Sequence, residues 1–232
     1  MTQEQEKKNI SETLSQFFLK FKKPLFIFVL TFITALIVIT VITAVSASTE
    51  KAALSLYDKI DSAFTTAMQS QQIETDQNNE QMASILSDID TLVKKYPKTI
   101  SALQALLLKA DYYIQKKDYE KALNAYLQII SINGKHYIAD IARQNAAAMY
   151  EELGNIDKAI DMLEMLDNNS KKNLFLSRNH VLFTLGRLYE QKQDFLKAVQ
   201  LYTRLVASGA NDDWTKLAQS RIIALKAEKK VQ

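Results

Sequence analysis

The side chains able to do covalent chemistry are few and poorly spaced for it. Glu151-Glu152 and Asp212-Asp213 are adjacent carboxylate pairs. A general acid and its base must both reach one reacting bond, whereas neighbours on a helix diverge by about 100°. His136 and His180 are the two histidines, and neither has another at helical or zinc-motif spacing. The chain has no cysteine, which removes disulfides, thiolate metal sites, a thiol nucleophile and a lipid-modified N-terminal cysteine together. Its four glycines form no Gly-rich phosphate loop. No catalytic residue, metal ligand or cofactor is therefore assigned, and the expectation is a protein that is not an enzyme. What remains is the chemistry of recognition, which depends on the elements that present the side chains.

Those elements are expected to be helices. Gly and Pro are scarce, at 4 and 2 residues, while 47% of the chain is apolar, the composition of an all-α protein with short loops and a real core. The strongest signal is "PLFIFVLTFITALIVITVITAVSAST", residues 24–49, with no charge between Lys23 and Glu50. At about 1.5 Å rise per residue this run exceeds a hydrocarbon core of about 30 Å. Its Leu, Ile, Val and Phe residues bring an insertion free energy on the order of −5 kcal/mol. A buried core helix this apolar needs a much larger protein around it. A signal peptide cut after Val45-Ser46-Ala47 stays open, although a signal core of about 7–15 residues is shorter than this run. The expectation is a single retained transmembrane helix.

Lys7, Lys8, Lys20, Lys22 and Lys23 precede the run, and Lys51 and Lys59 follow it closely. The positive-inside rule then keeps the N-terminus in the cytoplasm and exports the rest. Leu14, Phe17, Phe18 and Phe21 share one helical face beside lysines, as expected of a juxtamembrane stretch in the lipid interface. Residues 1–23 carry five Lys and three Glu, leaving +1 of the net +3 beyond them. No basic stripe with interleaved aromatics appears, so no nucleic-acid partner is expected. Past the run, Ala52, Leu56, Ile60, Ala63, Phe64 and Ala67 continue a helical period, and Met82, Ile85, Leu86, Ile89, Leu92 and Val93 form a second, ending before Pro97. These two helices are expected to make a membrane-proximal hairpin over 50–100.

From residue 101 one device recurs. Ala110, Tyr113, Tyr119, Ala122 and Tyr126 match Ala147, Tyr150, Ile156, Ala159 and Leu163, and then Gly186, Tyr189, Phe195, Ala198 and Tyr202. The central alanines Ala122, Ala159 and Ala198 are spaced by 37 and 39 residues. A small residue late in one helix and another early in the next let two backbones approach, large residues fill the space beside them, and stacked hairpins bury a continuous core. Lys117-Asp118, Gly154-Asn155 and Gln193-Asp194 put Asp or Asn where an N-cap oxygen is needed.

These residues resemble tetratricopeptide repeats, and "WTKLA" at 214–218 resembles the start of a fourth A-helix that closes the solenoid. The pattern departs at Leu163, where a third aromatic is usual, and in a long loop at 168–173. A cytoplasmic tail (1–23), one span (24–49), a helical hairpin (50–100), the "YPKT" turn and "ALLLKADYYIQKKDYEKALNAY" leading the repeats (101–232) are together similar to the ancillary subunit of the bacterial Sec translocon, a single-pass inner-membrane protein with a periplasmic repeat domain. That resemblance implies a membrane-tethered, extracytoplasmic protein-binding module that assists the handling of exported polypeptides. Its implied partners are translocon subunits, exported clients or periplasmic chaperones. The alternative is a structural envelope scaffold coordinating division or outer-membrane assembly proteins; a mitochondrial import receptor would reverse the orientation.

The repeat resemblance also implies which positions look into the concave face. They are Leu107, Asp111 and Ile114 in the first unit, Gln144, Ala148 and Glu151 in the second, and Phe183, Arg187 and Glu190 in the third. His180 is expected in the groove or on the surface. Repeats that grip an acidic chaperone C-terminus use a Lys/Asn clamp, which Gln104, Leu107, Asp111, Gln144 and Ala148 do not provide. Lys121 and Lys158, just after the turn into each B-helix, are expected to point to solvent.

Overall fold

The computed structural model describes residues 3–70, 76–169 and 178–231, with side chains described outside 3–21, 25, 70, 76–78 and 169. The side chains of the interfacial face expected at Leu14, Phe17, Phe18 and Phe21 lie outside those described, and the 168–173 loop lies outside the described residues from residue 170 onward. Every described element is a helix: α1 (Gln3–Ser70), α2 (Asp76–Lys95), α3 (Ile100–Gln115), α4 (Tyr119–Asn133), α5 (Tyr137–Glu152), α6 (Ile156–Asn169), α7 (Arg178–Gln191), α8 (Phe195–Ala207) and α9 (Asp213–Ala227). The chain divides into two units, Met1–Lys51 and Ala52–Gln232.

In the first unit the described side chains from Phe26 to Val45 are exposed, and the helix is long and apolar enough to cross a membrane. Five threonines sit in or beside this run without leaving a hydroxyl unpaired. Thr31, Thr34, Thr40, Thr43 and Thr49 each donate to a backbone carbonyl three or four residues earlier, at 2.7 to 2.9 Å. This local closure pairs each hydroxyl donor within its own helix.

In the second unit the end of α1 buries Ala53, Ile60, Phe64 and Ala67, and α2 buries Met82, Ile85, Ile89, Leu92 and Val93, all within one core that continues through the repeats. From α3 onward each helix packs on the next, and A-helices also meet across units, α3 with α5 and α7 with α9. The hairpin pairs α3/α4, α5/α6 and α7/α8, each an A-helix followed by a B-helix, are the first, second and third repeat units (hereafter the units), with α9 as a further A-helix. All six small residues at the crossings, Ala110, Ala122, Ala147, Ala159, Gly186 and Ala198, are buried. At Gly186 the approach leaves no room for a side chain, since a Cβ there would run into the ring of Tyr202.

One turn joins A to B in each unit. Lys117, Gly154 and Gln193 adopt positive φ, 57°, 75° and 63°. The amide of the following residue then donates back to the A-helix, Asp118 to Tyr113, Asn155 to Tyr150 and Asp194 to Tyr189, at 2.7 to 2.9 Å. This is a Schellman ending, and its last residue also starts the next helix: Asp118 and Asp194 accept from the backbone N–H of Lys121 and Lys197. One residue thus closes one helix and caps the other. A fourth such ending, with Lys229 at φ 54° and Lys230 donating to Leu225, terminates α9.

Lys121, Lys158 and Lys197 are exposed at their ends, but each also lies over the tyrosine that precedes its turn, with Nζ 5.3, 5.5 and 4.8 Å from the rings of Tyr113, Tyr150 and Tyr189. This repeated cation–π contact, worth about 0.5–1 kcal/mol at an exposed site, adds a function to lysines expected only to meet solvent.

Two substitutions test this packing by thermal or urea unfolding. Gly154→Ala puts a Cβ on a left-handed residue with nothing else in reach, so it should cost about 1–2 kcal/mol through backbone strain alone. Ala159→Leu forces a larger side chain into a fully buried crossing and should cost about 1–3 kcal/mol. An unchanged midpoint in either would contradict the turn or the register described.

Candidate functional site

The A-helices α5, α7 and α9 border a cleft of about 280 Å³ lined by Gln144, Asn145, Ala147, Ala148, Glu151, Leu163, His180, Phe183, Thr184, Arg187, Leu188 and Trp214. Its aromatic wall is built by α9. Asp212 caps that helix through the backbone N–H of Thr215 at 2.8 Å, and the amide of Asn179 donates to Asp212 at 2.7 Å, tying the start of α7 to the cap. The Asn179 and Thr215 hydrogen bonds hold the Asp212 carboxyl below its usual range. Fixed in this way, Trp214 stacks against His180 and Phe183, with ring centroids 4.4 and 5.6 Å away, and Phe183 in turn meets Tyr202 at 5.6 Å.

The polar wall is paired across units. The Arg187 guanidinium donates to both carboxylate oxygens of Glu151, at 2.5 and 2.6 Å, the fork geometry that a guanidinium and a carboxylate favour. This hydrogen-bonded partner raises Arg187 further above its ordinary value. The Gln144 amide nitrogen lies 2.8 Å from His180 Nδ1. Burial first, and the Arg187 charge second, push His180 below the ordinary imidazole value. Beside Gln144, the ring thus gains a proton less readily than a free imidazole.

Five of the nine expected concave residues line this cleft: Gln144, Ala148, Glu151, Phe183 and Arg187. Leu107, Asp111 and Ile114 do not line it and stay with the first unit, where partial burial raises the Asp111 carboxyl. Glu190 is engaged elsewhere, accepting from the Tyr202 hydroxyl at 2.6 Å and from the Arg221 guanidinium. Burial pushes its carboxyl up, but these two donors outweigh it and hold Glu190 below its usual range. Ala147, Leu163, His180 and Trp214, each already distinguished in the sequence, and Asn145, Thr184 and Leu188, which no charge or motif marks, complete the lining. A second depression of about 210 Å³ between α6 and α8 is rimmed by Glu164, Tyr189, Lys197 and Arg204. Its polar groups engage one another or their neighbours: Tyr189 donates to Glu164, and Arg204 binds Asp167.

The family model "Tetratricopeptide repeat-like domain" matches residues 15–178, and the model "Tetratricopeptide repeat" matches residues 180–208. A TPR repeat-containing protein of Treponema pallidum (strain Nichols) is 28% identical over 116 residues, which is 50% of this chain and 47% of that protein. The match thus spans about half of that relative's length. Among solved structures, a tetratricopeptide repeat protein from Parabacteroides merdae ATCC 43184 superposes with a TM-score of 0.56 at 16% identity, covering 75% of this chain and 61% of the other. The nearly identical TPR-like repeats of a Podosopora anserina putative kinesin light chain give 0.56 at 19%, covering 75% and 89%. These likenesses establish the fold.

The depressed His180 predicts a pH dependence. With a folded pKa below the unfolded value of about 6.5, the native state binds fewer protons in that range. The associated stability is present above pH ~6.5 and is lost as pH falls through it toward the folded value. His180→Gln keeps an amide in the cleft without a titrating group. Its urea stability should therefore fall less between pH ~7.5 and ~5 than that of the wild type, and parallel profiles would refute the lowered His180.

Proposed function

This chain belongs to the tetratricopeptide repeat-like domain family, whose repeats serve protein–protein interaction, and we propose that it is a membrane-tethered, extracytoplasmic module that binds polypeptides near a protein translocon. The observation that carries the binding part is the α5/α7/α9 cleft, an open concavity whose walls combine aromatic rings, amides and internally paired charges. Such a surface suits segments of varied sequence, because an aromatic face accepts many apolar groups and the polar wall sets no demand for one charge. The tether rests on the uncharged run of 24–49 and on the lysines before it. Exported polypeptides, translocon subunits and periplasmic chaperones are the partners this reading names, in the inner membrane with the N-terminus cytoplasmic.

Two experiments test it. A photo-crosslinking side chain at Ala148, on the exposed rim of the cleft, should capture proteins in native membranes, whereas one at Gln128, exposed on α4, should not. Mass spectrometry of the captured proteins should return secretory clients or translocon components. Division or outer-membrane assembly proteins would favour the scaffold alternative, and capture at Gln128 alone would remove the cleft from the account. Separately, a reporter active only outside the cytoplasm and fused after Gln232 should be active, and a cytoplasmic reporter at the same place silent. The reverse pattern would overturn the orientation.

A further inference from the structure

The cleft exists because one repeat position is filled differently from its two equivalents. In the first and third units that B-helix position is a tyrosine, Tyr126 and Tyr202, with 1% and 0% exposure. Tyr202 lies on Gly186, touches Phe183 with its ring and donates its hydroxyl to Glu190. Tyr126 shares a hydrogen bond with Asn145, and burial pushes its hydroxyl up to about 12. In the second unit the equivalent residue is Leu163, the equivalent of Glu190 is Glu151, and both line the cleft. Leucine has neither the ring to fill this space nor a hydroxyl to reach Glu151. Around it remain an aromatic wall, the small residues Ala147 and Ala148, and a carboxylate held in place by Arg187. The surroundings of a buried tyrosine are thus present without the tyrosine.

We infer that this cleft takes a tyrosine side chain of the bound polypeptide, its ring over Leu163 and Ala147 against Trp214 and its hydroxyl donating to Glu151. The assignment rests on the recognition reading above and gives it a specificity: tyrosine first, phenylalanine next, aliphatic side chains last. Donation to a carboxylate already bound by a guanidinium has its counterpart in this chain, since Glu190 accepts from Tyr202 and Arg221 together. The open side of the cleft, where Ala148 is exposed, admits the side chain from an extended segment.

Trp214 is the one tryptophan in the chain and lines the cleft, so its fluorescence, excited where tyrosine does not absorb, reads occupancy directly. The full chain in detergent micelles is titrated with a blocked Ser-Gly-Tyr-Gly-Ser peptide and with its phenylalanine and leucine counterparts. The tyrosine peptide should give a saturable change at about fivefold lower concentration than the phenylalanine peptide, the worth of one hydrogen bond. The leucine peptide should be weaker again. Glu151→Ala should remove the difference between the first two peptides. Leu163→Tyr supplies the missing ring from within, at the position where the first unit has the buried Tyr126, and should abolish the response while the helical signal and unfolding midpoint are kept. If that variant does not fold, Ala148→Phe, which covers the cleft from its exposed rim, should produce the same loss. A leucine peptide equal to the tyrosine peptide, or an undiminished response in the folded Leu163→Tyr or Ala148→Phe chain, overturns the inference. If the peptides fail while crosslinks from Ala148 persist in membranes, the tyrosine assignment falls and the recognition reading stands; if both fail, both fall.

Discussion

The close crossing of each A-helix with its B-helix sets the rest of the repeat domain. With only Ala or Gly at positions such as 147, 159, 186 and 198, two backbones approach closely, and whatever projects beside the crossing must be flat or absent. A tyrosine ring is flat, and Tyr202 lying on Gly186 is that solution. A leucine at the equivalent place keeps the crossing sealed, as the burial of Leu163 and Ala147 shows, but does not extend to the concave side. The cleft is thus the consequence of one side chain being too short beside the same kind of crossing.

The turn between the helices makes that geometry reproducible. Because one residue both ends a helix and caps the next, the angle between A and B has little freedom, and a single left-handed residue fixes it three times over. Only the middle unit uses glycine there. Lys117 and Gln193 accept a left-handed backbone that disfavours side chains with a Cβ, and the two-way hydrogen bonding of Asp118 and Asp194 offsets that cost. The buried Asp140–Arg143 pair acts similarly between units. Arg143 reaches the Gly134 carbonyl at 2.7 Å and holds the connection from α4 into α5.

How much of this was legible in the sequence depends on how local the cause is. The helices, the apolar run, the small-residue crossings and the Asp caps follow from neighbours within a few positions, so periodicity and spacing display them. The left-handed turn residue is visible only at Gly154, because nothing in the side chains of Lys117 or Gln193 announces positive φ. The pairs that shape the cleft join residues about one repeat apart: Glu151 with Arg187, Gln144 with His180, Asn179 with Asp212. Repeat phase places each of them on a concave face, but a sequence does not say which concave charges will neutralise one another. Leu163 stood out as a departure from the pattern; that the departure opens a cleft requires the position of α9, which brings Trp214 across the unit boundary.

The pairing of charges bears on how such a surface binds. Arg187 is matched by Glu151 and Arg221 by Glu190, while burial disfavours a charge on His180, and the chain beyond residue 23 carries only +1 of the net +3. Long-range attraction therefore contributes little to encounter, in contrast to clamps built from unpaired lysines that seek a terminal carboxylate. On the recognition proposed above, discrimination would be short-range: a ring against the aromatic wall, and whether the partly exposed Glu151 carboxylate gains a second donor. Interactions of this kind fall away quickly with distance and are individually small, so on that reading a segment would be held while it lies in the cleft and released once its fitting side chain leaves. Such a surface would suit many passing segments better than a strong fixed charge would, and in this chain it comes from a leucine standing where the neighbouring repeats have a tyrosine.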